Sequence, residues 1–447
     1  MDPQILTAII FCIVYGFIIF SKRYVAVALW IGIGALCVLP LLWGQKPVVN
    51  PQDLFLIMRQ EDGWAWASIN WNVIGIFSGT LLIAQVFIYS RVPAVMSDWL
   101  VAKSPNVGWA ILGVCAMASF ISMFADNVAT VLIVAPIAME LAKKLDVSPA
   151  PFLIGIAISS NLQGTATLIG DPPSMILAAE YRMNFAEFFV QHGRAGVFWA
   201  VQFGAIAGFF VLWLMFRKYR QSISEQPSAK PRSWVPTILL VGMIVALAFG
   251  SLVDADFMWF GGTVCLTAGA LGITWLWHQN RENAVRILRS FDWSTCFFLM
   301  GVFMMVFALK EGQSDIIPLL AEGVRSLTGD SILTAFILIV AVSMFLSGFI
   351  DNIPYLAAML PLVQDLTGHL GGLEANNMVL AFGLLIGSCL GGNITPVGAS
   401  ANVVSYGMLR RMGEGTSFWD FVKIGLPFTL AATTASSLFV WVVWMVL

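Results

Sequence analysis

The sequence predicts an all-α polytopic membrane protein, an inverted repeat of two halves, each with five spans, one re-entrant helical hairpin and a broken helix. Three observations lead to this prediction. Hydrophobic residues make up 59% of the 447 residues and charged residues only 11%, whereas an ordinary soluble domain carries about 25% charged residues. Several apolar runs reach the ~20 residues that a helix needs to cross a hydrocarbon core. Unusual polar motifs recur in the same order in both halves.

The spans are predicted from the apolar runs. The first half, residues 1–216, has runs at about 5–20, 24–44, 69–90, 149–180 and 195–216. The second half, 233–447, has them at about 234–253, 257–278, 293–310, 375–409 and 422–446. A basic linker rich in serine and proline, 217–232, separates the halves and is predicted to be cytoplasmic. Because each half has an odd number of spans, the halves are expected to insert with opposite orientations.

Two apolar regions, 107–145 and 329–370, are too long for one span each. At 1.5 Å per residue, ~40 helical residues would reach ~60 Å, about twice the hydrocarbon thickness. Each region contains an Asp-Asn pair in its middle: "FADNVAT" (124–130) and "FIDNIPY" (349–355). We predict a re-entrant hairpin in each region with the pair at its tip. Two complete spans per region are the alternative that the sequence leaves open.

The predicted spans 149–180 and 375–409 are interrupted by glycine and proline. "GTATLIGDPPS" (164–174) and "GGNITPVGASAN" (391–402) cannot sustain a continuous helix, since proline removes a backbone donor and clashes with the preceding turn. Backbone groups freed in a membrane must find partners in protein, water or an ion. Helix packing by small residues and a simple proline kink would explain one such residue. Two matched clusters instead favour broken helices.

Matched residues support the repeat. The hairpin regions, the interruptions and an earlier segment align in the same order, and the matches include Phe124/Phe349, Asp126/Asp351, Asn127/Asn352, Pro136/Pro361, Ser160/Ser388, Gly164/Gly392, Thr167/Thr395, Gly170/Gly398 and Trp71/Trp293.

Positive charge predicts the orientation. With an extracytoplasmic N-terminus, most lysines and arginines fall in cytoplasmic loops, which is the usual bias. Both termini are then extracytoplasmic, the first hairpin opens to the cytoplasm and the second opens to the exterior. The first apolar run lacks a basic n-region and a cleavage motif, so it is interpreted as a span and not as a signal peptide.

The Asp-Asn pairs are the first candidate site residues. An ionised Asp at the bilayer centre costs ~2.5–3.5 kcal/mol, so it is expected to face protein, water or an ion. Each Asp could also cap the following helix, but a cap at membrane depth already implies a helix break there. Amide oxygens and hydroxyls in the interruptions are suited to a cation or a hydroxylated solute. Asp171 stands only in the first copy, opposite Ala399. It is therefore the candidate proton-coupling group, together with Asp126 and Asp351.

Other chemistry is not indicated. The six cysteines fall singly in apolar runs, so neither disulfides nor a zinc site is predicted, and no metal site is expected. No phosphate-binding loop, nucleophile elbow or His-Glu-x-x-His motif occurs, which argues against an ATP-driven pump or a membrane hydrolase. No basic patch suggests nucleic acid. We expect no enzyme activity and no cofactor, with H⁺ or Na⁺ as coupling ion.

Four segments carry a family resemblance: "DNVATVLIVAPIA" (126–138), "GTATLIGDPPSMILA" (164–178), "DNIPYLAAMLPLV" (351–363) and "GGNITPVGASANVV" (391–404). The chain resembles the ion transporter superfamily, in the branch with arsenite permeases, the pink-eyed-dilution protein and NhaD-type sodium–proton antiporters. The resemblance implies a substrate or ion site formed by Asp126, Asn127, Thr165, Thr167, Gly170, Asp171, Asp351, Asn352, Thr395, Gly398 and Asn402. It also implies a homodimer in the cell membrane, whose transport domains move like elevators against a scaffold.

The function expected from this resemblance is secondary active transport of a small inorganic ion or solute. "GDPP" (170–173) and "NITP" (393–396) favour the arsenite-permease side, so proton-coupled extrusion of arsenite or antimonite is the first expectation. At neutral pH arsenite is mostly uncharged As(OH)₃, and the four motifs contain no Lys or Arg. Sodium–proton antiport is the first alternative. An anion transporter or channel, for chloride or a carboxylate, is the second.

Overall fold

The computed structural model describes residues 3–20, 24–44, 46–55, 57–60, 63–66, 68–144, 146–223, 230–311, 316–329, 331–369 and 374–446. Residues 224–229 of the predicted linker lie outside these ranges. The described chain is nearly all helical, which confirms the predicted class of fold. Six of its helices are individually long and apolar enough to cross a membrane, and further apolar helices are shorter.

In the described ranges, the helices of the two halves follow the same order, except that Arg281–Arg289 has no counterpart in the first half. The first half contains the helices Pro3–Phe20, Val25–Leu42, Trp71–Tyr89, Val92–Ala102, Val107–Ser122, Asn127–Lys144, Ala150–Gly164, Pro172–Tyr181 and Val197–Phe216. The second half contains Val235–Ala248, Phe260–Gln279, Arg281–Arg289, Trp293–Glu311, Ile316–Thr328, Ile332–Ser347, Asn352–His369, Glu374–Gly391, Ser400–Arg411 and Phe418–Trp441. The opposite orientation of the halves in a membrane stays a prediction.

The helix breaks fall where the sequence motifs lie. Both hairpin regions consist of a 16-residue arm and an 18-residue arm, and each Asp-Asn pair stands where the second arm begins. The first broken helix stops at Gly164 and resumes at Pro172, and the second stops at Gly391 and resumes at Ser400 after a short 3₁₀ turn, Gly392–Ile394. We call 123–127 and 348–352 the hairpin tips. We call 165–172 and 392–400 the breaks, each including the first residue of the helix that follows.

Short elements outside the predicted spans complete the fold. The helices Val92–Ala102 and Ile316–Thr328 each lead into a hairpin, and Arg281–Arg289 precedes the span Trp293–Glu311. Two small antiparallel strand pairs, Ile57–Gln60 with Gly63–Trp66 and Val190–Gln191 with Arg194–Ala195, lie in connections. The sequence did not predict these elements because none is long enough to produce an apolar run of membrane length.

The second segment of each broken helix packs on the opposite half. Pro172–Tyr181 lies against the second hairpin's arm Asn352–His369 and against Glu374–Gly391. Ser400–Arg411 lies against the first hairpin's arm Asn127–Lys144 and against Ala150–Gly164. The two halves are therefore interleaved around the breaks, and neither half surrounds its own broken helix completely.

Glycines bring one helix pair into close contact. Trp71–Tyr89 packs along Phe260–Gln279, where a Cβ atom at Gly75 would lie 2.9 Å from Cα of Gly262 and one at Gly79 would overlap the backbone carbonyl of Cys265. Such backbone approach is typical of small residues at membrane helix interfaces. We call these two helices the glycine-packed pair.

Replacing Gly79 by Ala is expected to lower the apparent melting temperature of the purified protein. The added methyl group must push two backbones apart, and overpacking of this kind costs ~1–3 kcal/mol. The matched control is Gly242→Ala, also inside a helix but with open space around its Cβ position. Thermal unfolding of both variants in detergent checks the expectation, and equal melting temperatures would contradict it.

Candidate functional site

Each hairpin tip contacts the break of its own half through a threonine. The Thr167 hydroxyl donates a hydrogen bond to the carbonyl oxygen of Met123, and the Thr395 hydroxyl donates to that of Gly348. Thr167 and Thr395 are matched positions of the repeat, and both are buried. Carbonyls that the hairpin turns leave free are thus satisfied by side chains of the breaks.

A glycine in each break lets the tip approach. A Cβ atom at Gly170 would lie 2.8 Å from the carbonyl oxygen of Ser122. One at Gly398 would lie 2.8 Å from those of Ser347 and Gly348. Real Cβ atoms essentially never come this close to an oxygen, so both positions require glycine for the same reason. The function of these matched glycines is close packing of backbone on backbone.

The two tip aspartates begin the helices that follow them. Asp126 Oδ1 accepts a hydrogen bond from the Ala129 amide at 3.0 Å, and Asp351 Oδ1 accepts one from the Ile353 amide at 3.2 Å. A capping role and the predicted role in a substrate or ion site are therefore compatible for these aspartates, since one carboxylate oxygen suffices for the cap. The second oxygen of Asp351 accepts from the Ser400 hydroxyl at 3.1 Å. Pro172 stands at the matched position of the first half, so Asp126 lacks that hydroxyl partner.

A chain of buried amides joins the first tip to both broken helices. Asn127 Nδ2 donates to Asn161 Oδ1 at 2.8 Å. Asn161 Nδ2 in turn donates to the Cys389 carbonyl at 2.9 Å and to Asn393 Oδ1 at 3.0 Å. Asn393 Nδ2 donates back to the Ile158 carbonyl at 3.2 Å. Asn161 and Asn393 are completely buried, so this chain fixes the breaks against each other without exposing an amide.

Asp171 receives a hydrogen bond from the opposite half. Asp171 directly precedes the helix Pro172–Tyr181, makes no side-chain hydrogen bond to its first turn, and is only 3% exposed. The amide Nδ2 of Asn352, at the second tip, donates to Asp171 Oδ2 at 3.3 Å. The second tip is thus held to the first break as well as to its own.

A cavity of about 480 Å³ brings several of these groups together. Its walls include Asp126, Asn127, Asp171, Asn352 and Ser400 from the tips and breaks, and Phe77, Leu81, Leu82, Gln85, Ser290, Asp292 and Thr295 from the facing helices and their connection. No Lys or Arg of the described ranges lines it. The described lining thus contains three carboxyl groups, of Asp126, Asp171 and Asp292, and no basic side chain.

The predicted site residues fall into two groups. Asp126, Asn127, Asp171 and Asn352 line the cavity. The others do not line it. Thr165 donates to the Asn161 carbonyl at 3.3 Å, and Asn402 Nδ2 donates to the Gly392 and Thr395 carbonyls at 2.9 and 3.1 Å. The contacts described above between tips and breaks are made by Thr167, Gly170, Asp351, Thr395 and Gly398. Their assignment to a substrate or ion site stays a prediction.

Sequence reasoning did not single out two residues of this region, Asp292 and Asn161. Asp292 stands at the exposed rim of the cavity, where both its carboxylate oxygens accept hydrogen bonds from Thr295, at 3.0 Å from the amide and 2.6 Å from the hydroxyl. Asn161 forms the centre of the amide chain with Asn393, one of the amides that the sequence placed in the second interruption. The signal for Asp292 was its place in the repeat opposite Asn70. The signal for Asn161 was an uncharged amide inside an apolar span.

Comparison with known proteins gives one family match over most of the chain. The family model described as CitMHS, citrate transporter, matches residues 15–387. A 46 kDa membrane protein of Mycobacterium leprae is 29% identical over 407 residues, covering 90% of this chain and 91% of that protein. The human P protein is 25% identical, over 82% of this chain and 52% of its own length.

The fold has a counterpart among solved structures. The crystal structure of the Alcanivorax borkumensis YdaH transporter, whose title reports an unusual topology, matches with a TM-score of 0.56. The match covers 99% of this chain and 98% of that one at 14% identity. At that identity the likeness concerns the fold alone.

Replacing Asn161 by Ala is expected to destabilise the protein by at least ~2 kcal/mol. The change strips partners from the Asn127 amide, the Cys389 carbonyl and Asn393 Oδ1, and each unsatisfied buried group costs ~1–3 kcal/mol. The control is Thr429→Val, which removes a buried hydroxyl that bonds only within its own helix, to the Gly425 carbonyl. Denaturant or thermal unfolding compares the two, and an Asn161→Ala variant as stable as this control would refute the role of the amide chain.

Proposed function

The chain belongs to the citrate transporter family CitMHS of the ion transporter superfamily, and on that premise we propose that it couples protons to the movement of a neutral inorganic solute. The resemblance identified from the four motifs is confirmed at the level of the superfamily. The protein is a multi-pass membrane transporter and not an enzyme. The substrates we favour are arsenite and antimonite, carried outward.

One observation carries this proposal: the cavity contains carboxyl, amide and hydroxyl groups and no basic side chain within the described ranges. Uncharged As(OH)₃ can donate its hydroxyl protons to carboxylates and amide oxygens and accept from amide nitrogens, so it needs no arginine. The buried Asp171 and the half-buried Asp126 are suited to carry the coupling protons, because acids at membrane depth commonly form proton relays.

Citrate, the substrate in the family description, meets an electrostatic obstacle in this chain. A free multiply charged anion would be repelled by Asp126, Asp171 and Asp292, and like charges at close range cost several kcal/mol. Citrate would have to enter neutralised, by protons or by a bound cation.

Sodium–proton antiport is the second candidate. The observation that favours it is the concentration of three carboxyl groups in one cavity, since hard oxygen donors suit alkali and alkaline-earth cations. In that case Na⁺ and protons would compete for the same acids.

The cavity's position supports an elevator-type movement. One wall comes from the tips and breaks, and the opposite wall comes from Trp71–Tyr89, a member of the glycine-packed pair, and from residues around Asp292. The tips and breaks form one interleaved unit, and the glycine-packed pair forms another. A solute held between these two units can change sides of the membrane if the tips and breaks slide past the glycine-packed pair. We propose that the glycine-packed pair belongs to the scaffold, and that two scaffolds pair in a homodimer.

We further propose a cell-membrane location with both termini extracytoplasmic, as the loop charges suggest. The rim of the cavity lies beside the helix Arg281–Arg289, whose arginines belong to the predicted cytoplasmic set. The cavity would then open toward the cytoplasm, as the uptake step of an exporter requires.

Ligand-dependent stabilisation is expected to identify the substrate. A ligand that binds only the folded state raises its stability by ~2.7 kcal/mol at one hundred times its dissociation constant. We expect As(III) and Sb(III) to raise the melting temperature of the purified protein, with Na⁺, Li⁺, free citrate and citrate plus Mg²⁺ as comparisons. A rise with Na⁺ alone would replace the arsenite proposal by antiport, and a rise with citrate alone would replace both.

Neutralising the cavity acids is expected to impair coupled transport without unfolding the protein. In proteoliposomes with an imposed pH gradient, Asp171→Asn should abolish the response of solute flux to the gradient, and Asp126→Asn should reduce the flux itself. The control is Glu282→Gln, an exposed residue whose charge lies outside the cavity. Full gradient-driven flux in both Asp variants would refute the coupling roles, and a current that persists without any gradient coupling would indicate a channel.

A further inference from the structure

The amides at the two hairpin tips have different kinds of partner. At the first tip, Asn127 donates to Asn161, an uncharged amide of its own half. The matched position in the second half is Cys389, whose thiol interacts with Asn352. The Asn352 amide also donates to the carboxylate of Asp171 in the opposite half. The tip amide of the first hairpin thus has an uncharged partner, and the tip amide of the second has an acid.

The sequence difference at the breaks is the reason for this asymmetry. In the second break, Ala399 stands at the position that matches Asp171. The first tip therefore has no acid in the corresponding place. Both Asp171 and Asn352 are only 3% exposed, so water competes little for their hydrogen bond. A change of proton on Asp171 therefore acts on the second tip and has no equivalent at the first.

The two hairpins also differ in how their first arms are held. The first arm, Val107–Ser122, begins with two backbone hydrogen bonds to the segment after Phe216: from Val107 to the Gln221 carbonyl at 3.0 Å, and from Gly108 to that of Tyr219 at 2.9 Å. The second arm, Ile332–Ser347, borders a groove of about 370 Å³ on the side of the last long helix. Leu333 and Val340 line one side of this groove, and Leu430, Thr433 and Ser437 line the other. The arm touches that helix through Phe336 and Trp441, whose ring centroids are 5.6 Å apart. The two first arms are therefore held by different contacts: backbone hydrogen bonds in the first hairpin and an aromatic contact beside an open groove in the second.

We propose that Asn352 is a positioning residue that links the second hairpin to the proton on Asp171. With Asp171 ionised, its carboxylate holds the Asn352 amide and the second tip stays on the first break. With Asp171 protonated, the bond loses its charge-assisted character and the second tip is released, while the first tip remains in place. This inference rests on the proposed function, in which Asp171 is a proton-coupling group.

The strength of the bond depends on charge. Hydrogen bonds to an ionised acceptor are roughly twice as strong as neutral ones. The titratable groups that face Asp171 from the surrounding elements are the carboxyls of Asp126 and Asp351 and the thiol of Cys389. Two of these are acids at the tips, so an experiment on this link has to separate protonation of Asp171 from protonation of Asp126 and Asp351.

Hydrogen–deuterium exchange of the full chain in lipid nanodiscs tests the proposal. Exchange rates, corrected for the intrinsic effect of pH, are compared for peptides covering 348–356 and 123–131. Both tips contain a capping carboxylate, Asp126 or Asp351, so the quantity compared is the excess pH dependence of the second tip over the first. In the wild-type protein, acidification should speed exchange at the second tip more than at the first, on the order of five-fold for the loss of one charge-assisted bond. Asp171→Asn should show the faster exchange of the second tip at neutral pH and lose this excess.

Two matched variants separate the roles of the tips. Asn352→Ala should give fast exchange at the second tip without its excess pH dependence over the first, whereas Asn127→Ala should loosen the first tip and leave that excess intact. Equal pH dependence at both tips in the wild-type protein, or an excess at the second tip that survives in a folded Asp171→Asn protein, would overturn the proposal.

Flux measurements distinguish failure of this link from failure of the proposed function. If the second tip responds to Asp171 but flux in proteoliposomes ignores the pH gradient, the proposed function fails and the link stands. If gradient-driven flux depends on Asp171 but the second tip is insensitive to pH, the link fails and the proposed function stands.

Discussion

The architecture depends on one constraint: a helix broken inside a membrane must have its free backbone groups satisfied by protein. Here the partner at each break is a hairpin tip, which has free backbone carbonyls of its own. Thr167 and Thr395 supply the hydroxyls that join tip to break, and Gly170 and Gly398 supply the space. The tips, the breaks and the cavity beside them are therefore parts of one arrangement, because none of them could stay at that depth alone.

The interleaving of the halves follows from the same requirement. Each broken helix contributes its first segment to its own half and its second segment to the hairpin of the other. The amide chain from Asn127 through Asn161 to Asn393 then ties the two breaks together in the buried centre. A movement would have to carry the tips and breaks of both halves together as one unit. An elevator-type transporter needs this property in its moving part.

Small departures from the repeat give the cavity its chemistry. Asp171 opposite Ala399, Asn161 opposite Cys389, and Pro172 opposite Ser400 are single differences between otherwise matched segments. Together they place an acid at only one break and leave Asp126 without the hydroxyl partner that Asp351 has. The matched segments thus surround an asymmetric cavity, in which the amide of Asn352 donates to an acid and the amide of Asn127 donates to another amide.

The sequence by itself determined the class of fold, the two long apolar regions interrupted at an Asp-Asn pair, and the two broken helices. Hydropathy and the glycine and proline interruptions are local properties, and both breaks fall inside the predicted motifs. Sequence also indicated that Asp126, Asn127, Asp171 and Asn352 mattered, since a polar group in an apolar run needs a partner. Only the tertiary structure decided which partner. Each tip contacts the break of its own half, but Asn352 also reaches Asp171 across the halves. Thr165, Gly398 and Asn402 do not line the cavity. Repeat matching shows which residues are equivalent, but contacts between the halves depend on how they interleave, and that is set by packing over the whole chain.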